Sequence, residues 1–168
     1  MIANAGVLGP RGNSGLLTSN KYRRDTGVRL LVLGYSGYMN LWHDVPLGDG
    51  APEEINAIIE MPCGSNNKYE VDKETGLIKL DRANYSAAAY PFDYGFAPQT
   101  FWDDGDPLDV IVLTTFTLHP GILVAVRPVA GIDMIDSGDP DYKVIAVPVD
   151  DRRWDDVHDL SDLNKHSL

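Results

Sequence analysis

The sequence has one cysteine, Cys63, among 168 residues, so an intrachain disulfide framework is excluded and a reducing compartment is favoured. Long apolar runs are also lacking. A membrane-spanning helix needs about 20 apolar residues, and the longest candidate near the start, LLVLGY at 30–35, is far shorter. We therefore expect no membrane partner.

Basic residues are few, and they are unevenly distributed. Residues 1–38 contain five Lys or Arg and one Asp, whereas residues 39–168 contain nine Lys or Arg and 24 Asp or Glu, a net charge of −15. Sequence-independent binding of nucleic acid needs a Lys/Arg surface, so no nucleic-acid partner is expected. The acidity suits divalent cations or a salty cytoplasm, although most of these carboxylates are expected simply to solvate the surface.

The first 38 residues differ in character from the rest. They are rich in Gly, Ser and Asn, show no sustained apolar period, and lack the pattern of a secretory signal. We expect residues 1–38 to be a disordered N-terminal extension, and residues 39–168 to form a single domain that starts near Met39.

The pattern of residues 39–168 is mainly β, and helix is scarce. Short strands at close spacing, separated by Gly/Pro turns, favour a barrel or a sandwich. One segment, WDDVHDL at 154–160, favours the start of a helix because its first turn is acidic. The predicted strands cover 54–62, a hairpin of 68–72 and 77–82 with Gly76 in its turn, 109–116, 122–135 and 142–149.

Four aspartates crowd into DDGDPLDV at 103–110, at the mouth of an apolar strand. Unit charges about 4 Å apart repel by roughly 1 kcal/mol in water and by several times that near a protein surface. Hard divalent cations take carboxylate ligands, and they turn this repulsion into attraction. Gly105 permits a tight turn and Pro107 stiffens it, while Asp104 and Asp106 would share a face if the chain is extended. An acidic surface turn explains the same pattern equally well.

A second acidic cluster follows in DMIDSGDPDYK at 133–143, again next to an apolar strand. It contains Asp136, Asp141 and Lys143. Two acidic loops that adjoin buried strands of one small barrel could converge on one metal cluster. The alternative is a pair of independent, solvated loops.

In a chain with so few cations, the placement of Lys68 and Arg82 is informative. Lys68 and Glu70 alternate along one predicted strand, so they share a face. Arg82 ends the next strand, and Arg suits bidentate contacts with phosphate. The alternatives are a solvated Lys68 and a salt bridge from Arg82 to Asp81 or Glu70.

Two tyrosines, Tyr90 and Tyr94, lie in the stiff segment YPFDYGF at 90–96. Their hydroxyls could bind a substrate oxygen, or their rings could pack in the core. Carboxylates for metals, with Lys, Arg and Tyr for anionic oxygens, indicate a site for a metal-bound phosphate compound. No P-loop, nucleotide-binding glycine pattern, Ser-His-Asp order or zinc spacing is present.

Residues 39–168 resemble the soluble inorganic pyrophosphatases of the Mg²⁺-dependent, β-barrel type (family I). The segment MNLWHD at 39–44 looks like the start of many bacterial and archaeal members, and five further segments match in order. They are IIEMPCGSNNKYEVDKETG, LDR, YPFDYGF, DDGDPLDVIVL and RPVAGIDMIDSGDPDYKVIAVP.

The resemblance implies a role for each matching polar residue. The implied metal-binding aspartates are Asp104, Asp109, Asp136 and Asp141, and the water-activating base is Asp106. The implied phosphate contacts are Lys68, Arg82, Tyr94 and Lys143. Glu60 and Glu70 match acidic residues that hold metal-bound water, and Tyr90 matches a tyrosine close to the site.

The resemblance also implies the fold and the reaction. The fold is an OB-like five-stranded barrel with hairpin extensions and few helices. The reaction is hydrolysis of inorganic diphosphate to two phosphates by in-line attack of a water activated by Mg²⁺. Family members are generally cytoplasmic, and the bacterial and archaeal ones usually form homo-hexamers. The alternative function is an OB-like module that binds a divalent metal or phosphate without turnover.

Two departures from the family pattern affect these expectations. Residues 1–38 have no counterpart in it, and the family continues past DLNKHSL into a helix with a Tyr-Lys pair that binds phosphate. We therefore expect this chain to be C-terminally truncated, with that helix missing, and consequently to be poorly soluble or loosely folded, with little or no activity.

Overall fold

The structure, a computed structural model, describes residues 39–136 and 138–163. The expected N-terminal extension at 1–38, and the expectations about the chain after 163, lie outside this part. Within the described residues, no helix is both long and apolar enough to cross a membrane.

Seven strands account for most of the regular structure of the described residues. They are β1 (Ile55–Met61), β2 (Asn67–Val71), β3 (Ile78–Ala83), β4 (Asp93–Phe96), β5 (Asp109–Val112), β6 (Leu123–Asp136) and β7 (Asp139–Pro148).

Five of these strands close into a barrel in the order β1-β4-β5-β7-β6, which confirms the expected five-stranded, OB-like fold. The β5–β7 pair is parallel and aligns Asp109 with Lys143, whereas the other barrel pairs are antiparallel. Apolar side chains such as Ile59, Val110 and Val126 fill the interior. Burial of each such side chain stabilises the fold by about 1.5–3 kcal/mol.

The strands β2 and β3 form a separate two-stranded sheet, which confirms the predicted hairpin. Val71 at the end of β2 joins a second apolar cluster with Trp42, Ile58 and Phe96. This cluster packs the hairpin against the outside of β1, so the polar residues of β2 and β3 are held next to the barrel.

The strand β4 was not predicted, because YPFDYGF reads as a proline- and glycine-broken segment with a central charge. That charge, Asp93, is fully buried. Its carboxylate accepts hydrogen bonds from the Cys63 N–H at 2.7 Å, the Leu118 N–H at 3.0 Å and the Thr114 hydroxyl at 2.5 Å. A buried carboxylate is tolerated when it is hydrogen-bonded in this way, and β4 thereby takes its place between β1 and β5.

The predicted helix at 154–160 is wrong. The structure has two 3₁₀ turns there instead, at Arg152–Trp154 and Leu160–Asp162. Asp151 and Asp159 each accept a backbone N–H two residues ahead, from Arg153 and Ser161. Such local carboxylate bonds compete with helix propagation and favour short turns.

The second acidic segment is a β-hairpin and not a loop, which corrects that prediction. The long strand β6 continues through Pro128 and Gly131 with an irregularity between Pro128 and Ala130, and it pairs with β7 as far as Asp136 opposite Asp139. The predicted strand at 109–116 is also shorter than expected, since β5 ends at Val112.

Candidate active site

Lys143 on β7 is the centre of the polar cluster at one end of the barrel. Its ammonium donates to the Asp109 carboxylate at 2.7 Å, to the Asp141 carboxylate at 3.0 Å and to the Tyr94 hydroxyl at 2.8 Å. The side chains of Lys143 and Asp141 are only 14% and 18% exposed, respectively. Strands β4, β5 and β7 thus bring four of the predicted site residues together.

Burial and charge have opposite effects on the pKa of Asp109 and of Lys143, but they act in the same direction on the pKa of Tyr94. Burial raises the pKa of Asp109 above its ordinary value, and the contacts with Lys143 and Tyr94 offset only part of that effect. Burial raises the pKa of Tyr94 strongly, and the nearby Asp109 raises it further, so Tyr94 stays a neutral phenol. Burial alone would lower the pKa of Lys143, but its hydrogen bonds to Asp109 and Asp141 outweigh this effect, and the net shift is upward.

Glu60 on β1 is a buried carboxylate next to this cluster, with an exposed fraction of 7%. It accepts a hydrogen bond from the Val71 N–H at 2.5 Å, and this bond ties β1 to the end of β2. Burial raises the pKa of Glu60 from 4.5 to about 8, the Val71 hydrogen bond opposes the shift, and Asp109 and Glu70 add to it. At neutral pH without a bound cation, Glu60 is therefore mostly protonated.

We predict that Glu60→Gln removes a pH dependence of stability from the metal-free protein. Between about pH 5 and 8 the unfolded chain has lost the Glu60 proton while the folded chain keeps it, so the free energy of unfolding falls as pH rises. The slope is at most about 1.4 kcal/mol per pH unit. Gln keeps an acceptor for Val71 but does not titrate. Urea unfolding at several pH values with a chelator measures the difference, with the exposed Glu53→Gln as the control. Parallel stability curves for wild type and Glu60→Gln would contradict this prediction.

The β2–β3 hairpin presents a second, more exposed polar group. Lys68 lies 3.8 Å from both Glu70 and Asp81, and Arg82 pairs with Asp81 at 2.6 Å. The expected shared face of Lys68 and Glu70 is therefore present, and so is the alternative salt bridge of Arg82 to Asp81. Both cationic side chains are partly exposed, at 32% and 60%, so solvent screening keeps these pairs weak.

The loop before β5 holds Asp104 and Asp106. The Asp106 N–H donates to the Asp104 carboxylate at 2.9 Å, and Gly105 has a φ of +85°, the left-handed conformation that favours glycine. The two aspartates thus lie in a tight turn and not on an extended segment. The Asp106 carboxylate pairs with Lys73 from the turn of the β2–β3 hairpin.

The two remaining predicted residues lie at the margins of the site. Asp136 is exposed at the end of β6, opposite Asp139. The ring of Tyr90 lies 6.2 Å from that of Tyr94, and its backbone is held by Ser65 and Gly64.

The chemistry of the donors fits a hard divalent cation, because carboxylate oxygens are the ligands that Mg²⁺ takes from proteins. Asp109, from the first acidic segment, and Asp141, from the second, already converge on one positive charge, the Lys143 ammonium. Within residues 39–136 and 138–163, however, no three His, Cys, Asp or Glu side chains lie close enough together to form a complete metal site. The two acidic segments therefore meet at Asp109 and Asp141, while Asp104 and Asp136 are exposed.

Two contacts at this site were missed from the sequence. One is Lys73, whose partner Asp106 lies 33 positions away on a different element. The other is the ring stack of Trp102 on Tyr142, with centroids 5.5 Å apart. The sequence did contain a signal for the position of Tyr142. It lies between Asp141 and Lys143 on a strand, so its side chain must point to the face opposite to these two site residues.

Comparison with known proteins decides the family. The sequence model of the family described as inorganic pyrophosphatase matches residues 57–168. The chain belongs to the inorganic pyrophosphatase family. It is 48% identical over 130 residues to the inorganic pyrophosphatase of Haloferax volcanii, a match covering 77% of this chain and 73% of that protein.

Other pyrophosphatases show how far the likeness extends. The soluble inorganic pyrophosphatase of Oryza sativa subsp. indica is 46% identical over 127 residues, which cover 76% of this chain and 59% of that protein. The crystal structure of the Thermus thermophilus inorganic pyrophosphatase superposes with a TM-score of 0.73 at 47% identity, covering 77% of this chain and 74% of that one. The suggested resemblance to the soluble, family I pyrophosphatases is confirmed.

Proposed function

We propose that this chain hydrolyses inorganic diphosphate to two phosphates with the help of Mg²⁺. The observation that carries the proposal is the convergence of Asp109, Asp141 and Tyr94 on the Lys143 ammonium at the end of the barrel. The family membership supports the same reaction, because the relatives are inorganic pyrophosphatases. The non-catalytic binding module is consequently not favoured.

The proposed metal-binding residues are Asp104, Asp109, Asp136 and Asp141. When bound, Mg²⁺ would polarise the phosphoryl oxygens and help water to ionise near neutral pH. The family implies a divalent metal, and the choice of Mg²⁺ rests on the all-oxygen donor set of this chain.

The proposed general base is Asp106, which lies on the loop next to the cluster and can remove a proton from the attacking water. The proposed phosphate contacts are the cations Lys68, Arg82 and Lys143 together with the phenol of Tyr94. Phosphoryl transfer is catalysed mainly by positioning and by neutralising oxygen charge. Lys143 and Tyr94 suit this task, because the pKa shifts keep one an ammonium and the other a neutral donor.

The supporting residues are Glu60, Glu70 and Tyr90. Glu60 and Glu70 are proposed to hold ordered water next to the metal site, and Tyr90 to shape the wall beside Tyr94, where the two rings are 6.2 Å apart. We further propose a cytoplasmic homo-oligomer, a hexamer as in bacterial and archaeal members, with no nucleic-acid or membrane partner.

The test is release of phosphate from diphosphate by the purified chain, with Mg²⁺ and with excess chelator. Turnover that requires the metal supports the proposal, and Ca²⁺ in place of Mg²⁺ serves as a check on metal preference. Binding of Mg²⁺ and diphosphate without phosphate release would instead identify the non-catalytic module.

A further inference from the structure

We propose that the stack of Trp102 on Tyr142, seated on Gly131, positions the loop of Asp104 and Asp106 against the hairpin of Asp141 and Lys143. The inference rests on the proposed role of Asp106. It assigns to Trp102 and Tyr142 a positioning role, since neither side chain is proposed to touch the substrate.

The barrel alone does not fix this loop. The parallel pairing of β5 with β7 begins at Asp109 and Lys143, so the residues that precede Asp109 lie outside the strand ladder. Asp104 is exposed, and the Asp106 side chain is 47% exposed. The aspartates therefore need another contact if their distance from the hairpin is to be constant.

The loop closes on the backbone of Trp102. The Trp102 N–H donates to the Asp106 carbonyl at 2.8 Å, and the Gly105 N–H donates to the Trp102 carbonyl at 3.0 Å. With the hydrogen bond from the Asp106 N–H to the Asp104 side chain, these contacts make residues 102–106 one compact unit. Fixing the Trp102 side chain consequently fixes both aspartates.

The Trp102 side chain is fixed by stacking. Its ring lies 5.5 Å from the ring of Tyr142 with an angle of 27° between their planes, and the buried indole Nε1 has no hydrogen-bond partner among the described residues. Offset ring stacks of this kind are favourable and restrict geometry. Ring stacking, and not a hydrogen bond of the indole, therefore connects the loop to β7, while the Asp106–Lys73 ion pair connects it to the β2–β3 hairpin.

Tyr142 is placed by its strand and by a glycine. Successive side chains of a strand alternate between faces, so Asp141 and Lys143 lie on one face of β7 and Tyr142 on the other. On that other face, a Cβ at Gly131 would lie 1.8 Å from the Tyr142 hydroxyl oxygen and 2.4 Å from Cζ. Because Gly131 has no side chain, it leaves room for the Tyr142 ring to lie flat over β6 and face Trp102.

These contacts connect the two acidic segments on the face of β7 that lies opposite to Asp141 and Lys143. The loop is held to Trp102, Trp102 to Tyr142, and Tyr142 lies between Asp141 and Lys143 in sequence. A displacement of the loop by about 1 Å can cost on the order of 100-fold in rate, because catalytic groups act only when well placed.

The decisive experiment measures the effect of Trp102→Ala in two backgrounds. In the wild type we expect kcat to fall about 10–100-fold with the KM for diphosphate within about 3-fold, because the cationic substrate contacts lie elsewhere. In the Asp106→Asn background, the loss caused by Trp102→Ala should be clearly smaller than in the wild type, because the base is gone and only the displacement of Asp104 remains. An equal loss in both backgrounds would show a merely structural role and overturn the proposal.

Conservative variants guard against misfolding. Trp102→Phe and Tyr142→Phe keep both rings and should retain most of the turnover, whereas Gly131→Ala should act like Trp102→Ala by displacing Tyr142. Full turnover in both Trp102→Ala and Gly131→Ala would overturn the positioning role.

A measurement without turnover separates this inference from the proposed function. Hydrogen exchange at the Gly105 and Asp106 amides should speed up in Trp102→Ala, while Val110 and Ile145 of the barrel keep their protection. If Asp106→Asn keeps full turnover, the proposed base is wrong, and the amide exchange still decides whether Trp102 orders the loop. Unchanged exchange at Gly105 and Asp106 would overturn the positioning role.

Discussion

Asp106→Asn is expected to lower kcat for diphosphate hydrolysis by about 10²–10⁴-fold at neutral pH, the usual cost of losing a general base. Asn has nearly the same shape, but it cannot take up a proton in this pH range. The loss corresponds to roughly 2.7–5.5 kcal/mol in the activation barrier. Turnover should recover in part as pH rises, because hydroxide then replaces the base-assisted water. Steady-state phosphate release from pH 6 to 10 measures both effects.

Asp103→Asn is the matched control for this prediction. It removes the same charge from the same exposed loop, but no site role is proposed for Asp103, so its turnover should stay within about 2-fold of the wild type. An Asp106→Asn variant with wild-type turnover at neutral pH would place the base elsewhere.

Asp109→Asn and Asp141→Asn are each expected to weaken Mg²⁺ binding by at least about 10–100-fold. Even residues that only support metal ligands have effects of this size, and here a charged oxygen ligand is itself replaced by a neutral one. Both variants should lose affinity, because the carboxylates of Asp109 and Asp141 converge on one position. In this structure the Lys143 ammonium contacts both of them. Titration calorimetry with Mg²⁺ in the absence of diphosphate measures the affinity directly.

Asp133→Asn is the control for the hairpin. Asp133 pairs with Tyr142 across β6 and β7, on the face opposite to Asp141, so its replacement should leave Mg²⁺ affinity nearly unchanged. If Mg²⁺ affinity is unchanged in both Asp109→Asn and Asp141→Asn, the idea of a shared metal site is wrong. If only one of them loses affinity, the two acidic segments do not bind the same ion.

Most of the barrel could be predicted because its strands show either alternating polar and apolar residues or a continuous apolar run, and clear turns separate them. β1, the β2–β3 hairpin, β6 and β7 were found in this way. β4 was not, because its four residues include Asp93 and Gly95, which disfavour strands when judged locally. Its stability comes from three hydrogen bonds to Asp93 from distant parts of the chain, and no local pattern contains them.

The residues of the site could be named from the resemblance, but their grouping could not. That Asp109, Asp141 and Tyr94 meet at Lys143 depends on which strands are neighbours in the barrel. The contacts of Lys73 with Asp106 and of Trp102 with Tyr142 depend on how a hairpin and a loop dock on that barrel. Side-chain pairs between elements are decided by tertiary packing, which a single sequence does not encode as a spacing.

The parallel pairing of β5 with β7 also has a consequence for folding kinetics. Asp109 and Lys143 are 34 residues apart in the chain, and contacts of high sequence separation form late because their loop-closure entropy opposes them. The centre of the site is therefore assembled only when the barrel closes. During refolding, activity should return with this slow closing step and lag behind the local β2–β3 hairpin, so that turnover reports on completion of the fold.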